Sequence, residues 1–180
     1  MAKIVSILLL ICLFPIFVIV ALAIIIDSRL PIFFRQKRIG LNNSEFWIYK
    51  FRTMKKDTPD IPTHLVKEEQ DYNTFIGPLL RKLSIDELPQ LINVLKGEMT
   101  LVGPRPAVPG EVSEYTEYQS QRLMAVPGIT CIWQVTGRSN IPFEQQVELD
   151  LQYIRKSSLL LDIKLLLLTI PAVLTARGAY

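Results

Sequence analysis

Cysteine, histidine and a strong charge of either sign are all scarce in this 180-residue chain. Its two cysteines, Cys12 and Cys131, give no disulfide framework. Cys12 lies inside an apolar run, so a reducing compartment is the simpler inference. The single histidine, His64, excludes a His-rich metal site. It sits in a polar stretch rich in Asp, Glu and Pro, which suits a solvated loop rather than a catalytic triad. Net charge is a mild +3, and no recognised nucleic-acid-binding motif accompanies the basic residues, so nucleic acid is not an expected partner. No internal repeat is evident, and the length allows one modest domain beside a membrane segment.

What the chain does have is apolar residue, 49% of the total, high for a domain with a fully solvated surface. From Ile4 to Ile26 the run is broken only by Ser6 and Pro15. Three readings compete. A secretory signal peptide would use Lys3 and a cleavage site at Ala21-Leu22-Ala23, but Ile24 to Ile26 continue the run past the cut. A full membrane span needs only about 20 apolar residues. A re-entrant helix would enter and leave by one face, and Pro15 favours it by removing a backbone hydrogen bond near mid-run. Lys3 precedes the run and Arg29, Arg35, Lys37 and Arg38 follow it, which tends to hold both ends on the cytoplasmic side. The residues by themselves leave all three open. The second basic cluster, Lys50, Arg52, Lys55 and Lys56, suits anionic lipid headgroups or phosphate ligands.

Beyond the run, Pro31–Gly40 and Phe46–Met54 are rich in β-formers around Leu41-Asn42-Asn43-Ser44, which predicts a β-hairpin. Residues 55–77 read as an irregular loop. Ser84 to Lys96 predicts one helix, with Ser84 and Glu87 as a capping box, Leu88, Leu91, Ile92 and Leu95 on one face and Gly97 as the stop. Met99 to Val102 predicts a short strand, and Gly103-Pro-Arg-Pro106 a stiff loop. Helices are expected over Glu111–Ala125 and Asn140–Lys156, the latter with Pro142 near its first turn. Leu159–Ala176 is strongly apolar but carries Asp162, Lys164 and Pro171, so an interfacial helix fits better than a second span, with a buried core helix as the alternative.

Two features carry chemistry. Asp86 and Glu87 are adjacent carboxylates in the expected first helical turn. They serve either as acids that complement the helix dipole or as groups that handle phosphate, with Arg81 and Arg105 offsetting the repulsion. Arg105 stands between Pro104 and Pro106, which restrict the backbone on both sides and present a guanidinium able to meet a phosphate through two parallel hydrogen bonds. Lys50, Arg52 and Arg138 are weaker phosphate candidates.

Tyr49-Lys-Phe-Arg-Thr-Met54, Leu83-Ser-Ile-Asp-Glu-Leu-Pro-Gln-Leu-Ile-Asn-Val-Leu-Lys-Gly97, Leu101-Val-Gly-Pro-Arg-Pro106, Pro127-Gly-Ile-Thr130, Trp133-Gln-Val-Thr-Gly-Arg138, Leu149-Asp-Leu-Gln-Tyr153 and Leu161-Asp162 occur in this order. Together they resemble the bacterial sugar transferase family, the monotopic phosphoglycosyl transferases, over essentially the whole chain and in its minimal catalytic form. The resemblance implies an α+β fold with a Pro-kinked re-entrant helix over residues 1–28 and a membrane-associated catalytic domain over 29–180 on the cytoplasmic face of the bacterial inner membrane. It implies transfer of a sugar-1-phosphate from a UDP-sugar to polyprenol phosphate with Mg²⁺, releasing UMP, at the first membrane step of glycoconjugate assembly. Membrane lipids and downstream glycosyltransferases are the further partners it implies. The family's catalytic pair falls on Asp86 and Glu87, which would also meet the metal. Asp86 would attack the β-phosphate, and the Pro-Arg-Pro loop falls on Pro104-Arg105-Pro106. The chain departs from the family pattern at Phe14-Pro15, where Ser-Pro is common, at Cys131 in place of Gly, and in a basic amino terminus reduced to Lys3. A membrane glycosyltransferase that moves sugar alone, a phosphatase, and a non-enzymatic membrane adaptor are the competing functions.

Overall fold

The computed structural model describes residues 2–56, 58 and 72–175, so most of the loop expected over 55–77, His64 and the last residue of the final expected helix lie outside the described residues. The apolar run forms one helix, α1 (Ala2–Ser28), with Pro15 inside it. It is long and apolar enough to cross a membrane. Only Ser6, Val20 and Ile24 of its residues are buried, so its middle presents Leu8, Ile11, Phe14 and Ile19 outward.

The expected hairpin is present as β1 (Phe33–Ile39) and β2 (Glu45–Phe51), antiparallel in the register Phe33↔Phe51 to Ile39↔Glu45. Asn42 and Asn43 take positive φ in the connecting turn, a conformation that asparagine tolerates better than most residues. Strand β2 alternates at its start, with Phe46 and Ile48 buried and Glu45 and Trp47 exposed, and ends on the buried Phe51. Phe51 joins Leu80 of α2 (Gly77–Lys82) and Val20 and Ile24 of α1 in one apolar cluster.

Ser84–Lys96 is not one helix. Residues Ile85–Gln90 form a 3₁₀ turn that leads into α3 (Leu91–Lys96). Pro89 has no N–H to give the Ile85 carbonyl, and its ring crowds that carbonyl, so the α pattern cannot start until Leu91. Ser84 stands at φ 53, and its side chain caps nothing, so the expected capping box with Glu87 is absent. Gly97 does stop the helix, at φ 86.

Strand β3 (Thr100–Val102) falls within the expected segment. Helix α4 (Pro109–Val112), α5 (Glu117–Ser120) and a 3₁₀ turn over Gln121–Met124 replace the single helix expected over Glu111–Ala125. The break comes at Thr116, whose side chain accepts from the Gln119 amide in a true capping box that starts the chain afresh. Strand β4 (Gly128–Thr130), which the sequence did not announce, pairs parallel to β3. Helix α6 (Ile132–Thr136) follows, and α7 (Phe143–Lys156) starts three residues later than expected, directly after Pro142. In α8 (Leu159–Thr175), Leu165 packs with Val102 and Tyr153 while Leu160, Ile163, Leu167, Ile170 and Leu174 stay exposed, so the buried-core alternative does not hold. The architecture is α+β, with helices around two two-stranded sheets among the described residues.

Candidate active site

Asn93, fully buried in α3, fixes the distance between β2 and the 3₁₀ turn. Its side chain accepts from the Tyr49 amide at 3.1 Å and donates to the Trp47 carbonyl at 2.7 Å, satisfying backbone groups on the free edge of β2. This lays Lys50 against the two carboxylates. Lys50 Nζ is 2.6 Å from Glu87 Oε1 and 3.9 Å from Asp86 Oδ2. Arg105 Nη1 approaches the same Glu87 oxygen, at 3.5 Å.

The carboxylates are not equivalent. Asp86 is 6% exposed. Burial pushes its carboxyl up to about 6, and the Glu87 charge adds to this, against the opposing pull of Lys50, Arg105 and Arg81. Burial acts the same way on Glu87, but Lys50, Arg105 and Arg38 outweigh it and hold that carboxyl down to about 2. One acid is therefore firmly ionised, and its neighbour titrates just below neutrality.

The loop bearing Arg105 is held by its carbonyls. Pro104 O accepts from the Gly128 amide at 2.9 Å, Pro106 O from Arg38 Nη1 at 2.9 Å, and Ala107 O from the Ile39 amide at 2.9 Å. Gly103 and Gly128 make the first of these contacts feasible. A Cβ on Gly128 would lie 2.0 Å from the Gly103 nitrogen. Arg38, Lys50, Gln90 and Arg105 line a small recess, two of them the cations that approach Glu87.

Of the residues singled out in the sequence, Lys50, Asp86, Glu87 and Arg105 come together, with Pro104 and Pro106 framing Arg105. Arg81 bears on Asp86 electrostatically while donating to Asn73. Arg138 stands at the border, 3.4 Å from the Ser84 hydroxyl. Arg52 is elsewhere. It is buried, and its Nη2 donates to Ser28 O, Ser28 Oγ and Arg29 O at the end of α1, closing helix carbonyls that would otherwise lack partners. Arg38 is a site residue that the sequence showed only as part of a basic cluster. The hydrogen bond that places it, to the Pro106 carbonyl, joins residues 68 apart.

Among the described residues no cluster of three or more His, Cys, Asp or Glu side chains could hold a metal. Two neighbouring carboxylates nonetheless fit Mg²⁺, which binds through one or two carboxylates, keeps several waters and completes its shell with substrate phosphate oxygens.

A buried Asp86 and a half-buried Glu87 stand among Lys50, Arg105 and Arg81, one residue from Phe51 and Ile85 in the apolar cluster that includes the long apolar helix. The chain matches the bacterial sugar transferase model over residues 1–176 and belongs to that family. It is 46% identical to the galactosyl transferase CpsE of Streptococcus agalactiae over 83% of this chain and 36% of that protein. It is 36% identical to the exopolysaccharide production protein ExoY of Sinorhizobium fredii over 98% and 84%. Against the undecaprenyl-phosphate glucose phosphotransferase of Komagataeibacter xylinus the figures are 44% identity, 97% of this chain and 35% of that protein. The chain thus spans about a third of two of these relatives and most of the other.

Proposed function

We propose that the protein is a phosphoglycosyl transferase that moves a sugar phosphate from a UDP-sugar to a polyprenyl phosphate at the cytoplasmic face of the bacterial membrane, early in polysaccharide or glycoconjugate assembly. The observation that carries this reading is the buried Asp86 among Lys50, Arg105 and Arg81, set beside the membrane helix. Phe51 and Ile85 are the sequence neighbours of Lys50 and Asp86; Phe51 belongs to the apolar cluster that includes Val20 and Ile24 of α1, and Ile85 packs against that cluster. A lipid phosphate reaching the site from the bilayer surface could keep its tail in the bilayer.

The reaction runs in two displacements. An Asp86 carboxylate oxygen bonds to the sugar-bearing phosphorus, and the bond from that phosphorus to the bridging oxygen breaks, so UMP leaves with the electron pair. A phosphate oxygen of the polyprenyl acceptor then bonds to the same phosphorus and returns Asp86 as the free carboxylate. Lys50 and Arg105 screen the charge that gathers as anion meets anion, and Arg105 from its stiff loop holds a phosphate oxygen. Bound Mg²⁺, held by Asp86 and Glu87 with the diphosphate, would supply further charge neutralisation there. Arg138, 3.4 Å from the Ser84 hydroxyl, would add a further positive charge toward the donor phosphates.

A screen of UDP-sugars with polyprenyl phosphate and Mg²⁺ tests the reading. UMP is the expected nucleotide product. Release of UDP would indicate transfer of sugar alone, and inorganic phosphate a phosphatase.

The same reading makes residues 1–28 a re-entrant anchor and 29–180 the catalytic domain. Both ends of α1 meet one body. Ala2 packs with the cluster of Phe46, Ile48, Val94 and Met99, and Ile24 with Phe51 and Leu80. A straight helix would separate Ala2 and Ile24 by about 33 Å. The β2 residues Phe46 and Phe51 stand only about 17 Å apart. A bend at Pro15 would reconcile the two lengths. Cysteines placed at Lys3 and Arg29, in a background free of other cysteines, should both resist a membrane-impermeant maleimide in spheroplasts and react once the membrane is opened. Labelling of the Lys3 site in intact spheroplasts would show a full span instead. Pro15→Leu should make part of the population behave that way.

A further inference from the structure

Behind the Pro104–Pro106 loop lies a buried polar cluster that the proposed chemistry does not use. Asp150 of α7, fully buried, takes Arg122 Nε at 2.9 Å and Arg122 Nη2 at 2.7 Å on one oxygen, and Trp133 Nε1 at 3.1 Å on the other. Arg122 also donates to the Tyr115 hydroxyl at 2.9 Å and stacks near the Tyr115 and Phe143 rings. The Trp133 ring, itself buried, lies under the Arg105 guanidinium, 6.0 Å from its centroid.

A buried ion pair of this kind adds little stability over apolar residues of the same volume, because both charges lose their water. What it does supply is fixed geometry. The indole has one donor, and spending it on Asp150 sets the rotation of the ring. Asp150 is in turn held by two donors of one rigid guanidinium. The ring face then offers Arg105 a platform, while its Nη1 lies 3.5 Å from the Glu87 carboxylate. Arg105 thus has both a charged partner and a ring plane within reach, contacts that the stiff loop backbone alone cannot impose on a long side chain.

We infer that Trp133, aimed by Asp150, is a positioning residue for Arg105: it holds the guanidinium in the orientation that meets the substrate phosphate. The inference rests on the phosphate-binding role of Arg105 proposed above, and a double-mutant cycle separates the two. Full-length enzyme in detergent is assayed for UMP release as wild type, Trp133→Phe, Trp133→Leu, Arg105→Lys and the two double variants, with thermal unfolding measured for each. Trp133→Phe keeps a buried ring but loses the Asp150 hydrogen bond. It guards against the larger change failing to fold.

The expected result is a fall in kcat/KM of about 5-fold for Trp133→Phe and about 20-fold for Trp133→Leu, with less than a twofold further fall from either change once Arg105 is Lys. Equal losses in both backgrounds would overturn the positioning role and reduce Trp133 to packing. Near-normal turnover by Arg105→Lys would overturn the reading of Arg105 itself and the positioning inference with it.

Discussion

Asp86→Asn should abolish turnover and at the same time make the protein more stable. The amide keeps the size of the carboxylate but cannot form the bond to phosphorus, so UMP release should drop by at least about 1,000-fold. Wild-type enzyme given UDP-sugar and Mg²⁺ without acceptor should release up to one equivalent of UMP and carry sugar-phosphate mass on the peptide containing Asp86. The variant should show neither. The gain in stability follows from the raised carboxyl. A group whose pKa climbs from 3.8 to about 6 on folding binds its proton more tightly in the native state. Its contribution therefore favours the fold at low pH and is lost as the pH rises through about 6, so ionised Asp86 opposes folding at neutrality. Removing that charge should stabilise the protein by about 1–3 kcal/mol, or roughly 3–10 °C in Tm. A folded variant that still turns over would leave Asp86 as a buried acid without a chemical role.

Lys50→Met should shift the acid limb of the pH–rate profile upward. Lys50 is the largest of the charges that pull Asp86 down against burial, and it lies 2.6 Å from Glu87. Without it Asp86 loses its proton only at a higher pH, so activity that in the wild type falls off as the pH drops below about 6 should fall off at least about one pH unit sooner. At neutrality the loss should reach about 100-fold, part of it recovered by raising the pH. Lys50→Arg, which keeps the charge, should keep the limb in place. An unmoved limb in Lys50→Met would show that another group sets the proton affinity of Asp86.

The readable parts of this protein were those set by neighbours in sequence. The hairpin follows from β-formers on either side of Leu41–Ser44, the stop at Gly97 from the one residue type that takes φ 86 without strain, and the Arg105 loop from its flanking prolines. Asp86, Glu87 and Arg105 stood out by their motifs, and the fold does bring them together around Lys50. Reading failed where one local signal outbid another. The Ser84 capping signal lost to Pro89 four residues after Ile85, while the equally ordinary Thr116–Gln119 spacing did form a box and cut an expected helix in two. It failed again where partners are far apart. Strand β4 shows only against β3, and the Arg122–Asp150–Trp133 cluster draws on segments 17 and 28 residues apart. Arg52 illustrates the remaining difficulty: its motif placed it with Lys50, yet its side chain turns to the end of α1.

Ala2 packs beside Val94 and Met99, so the first turn of the anchor has no seat until the ribosome has made the hundredth residue or so. At synthesis rates of about 5–20 residues per second that is a delay of some 5–20 s. For that interval a long apolar segment faces the insertion machinery before most of the domain that will hold both its ends exists. How this protein comes to lie in its membrane is accordingly a contest of clocks, between the arrival of a docking surface and the pull of the bilayer.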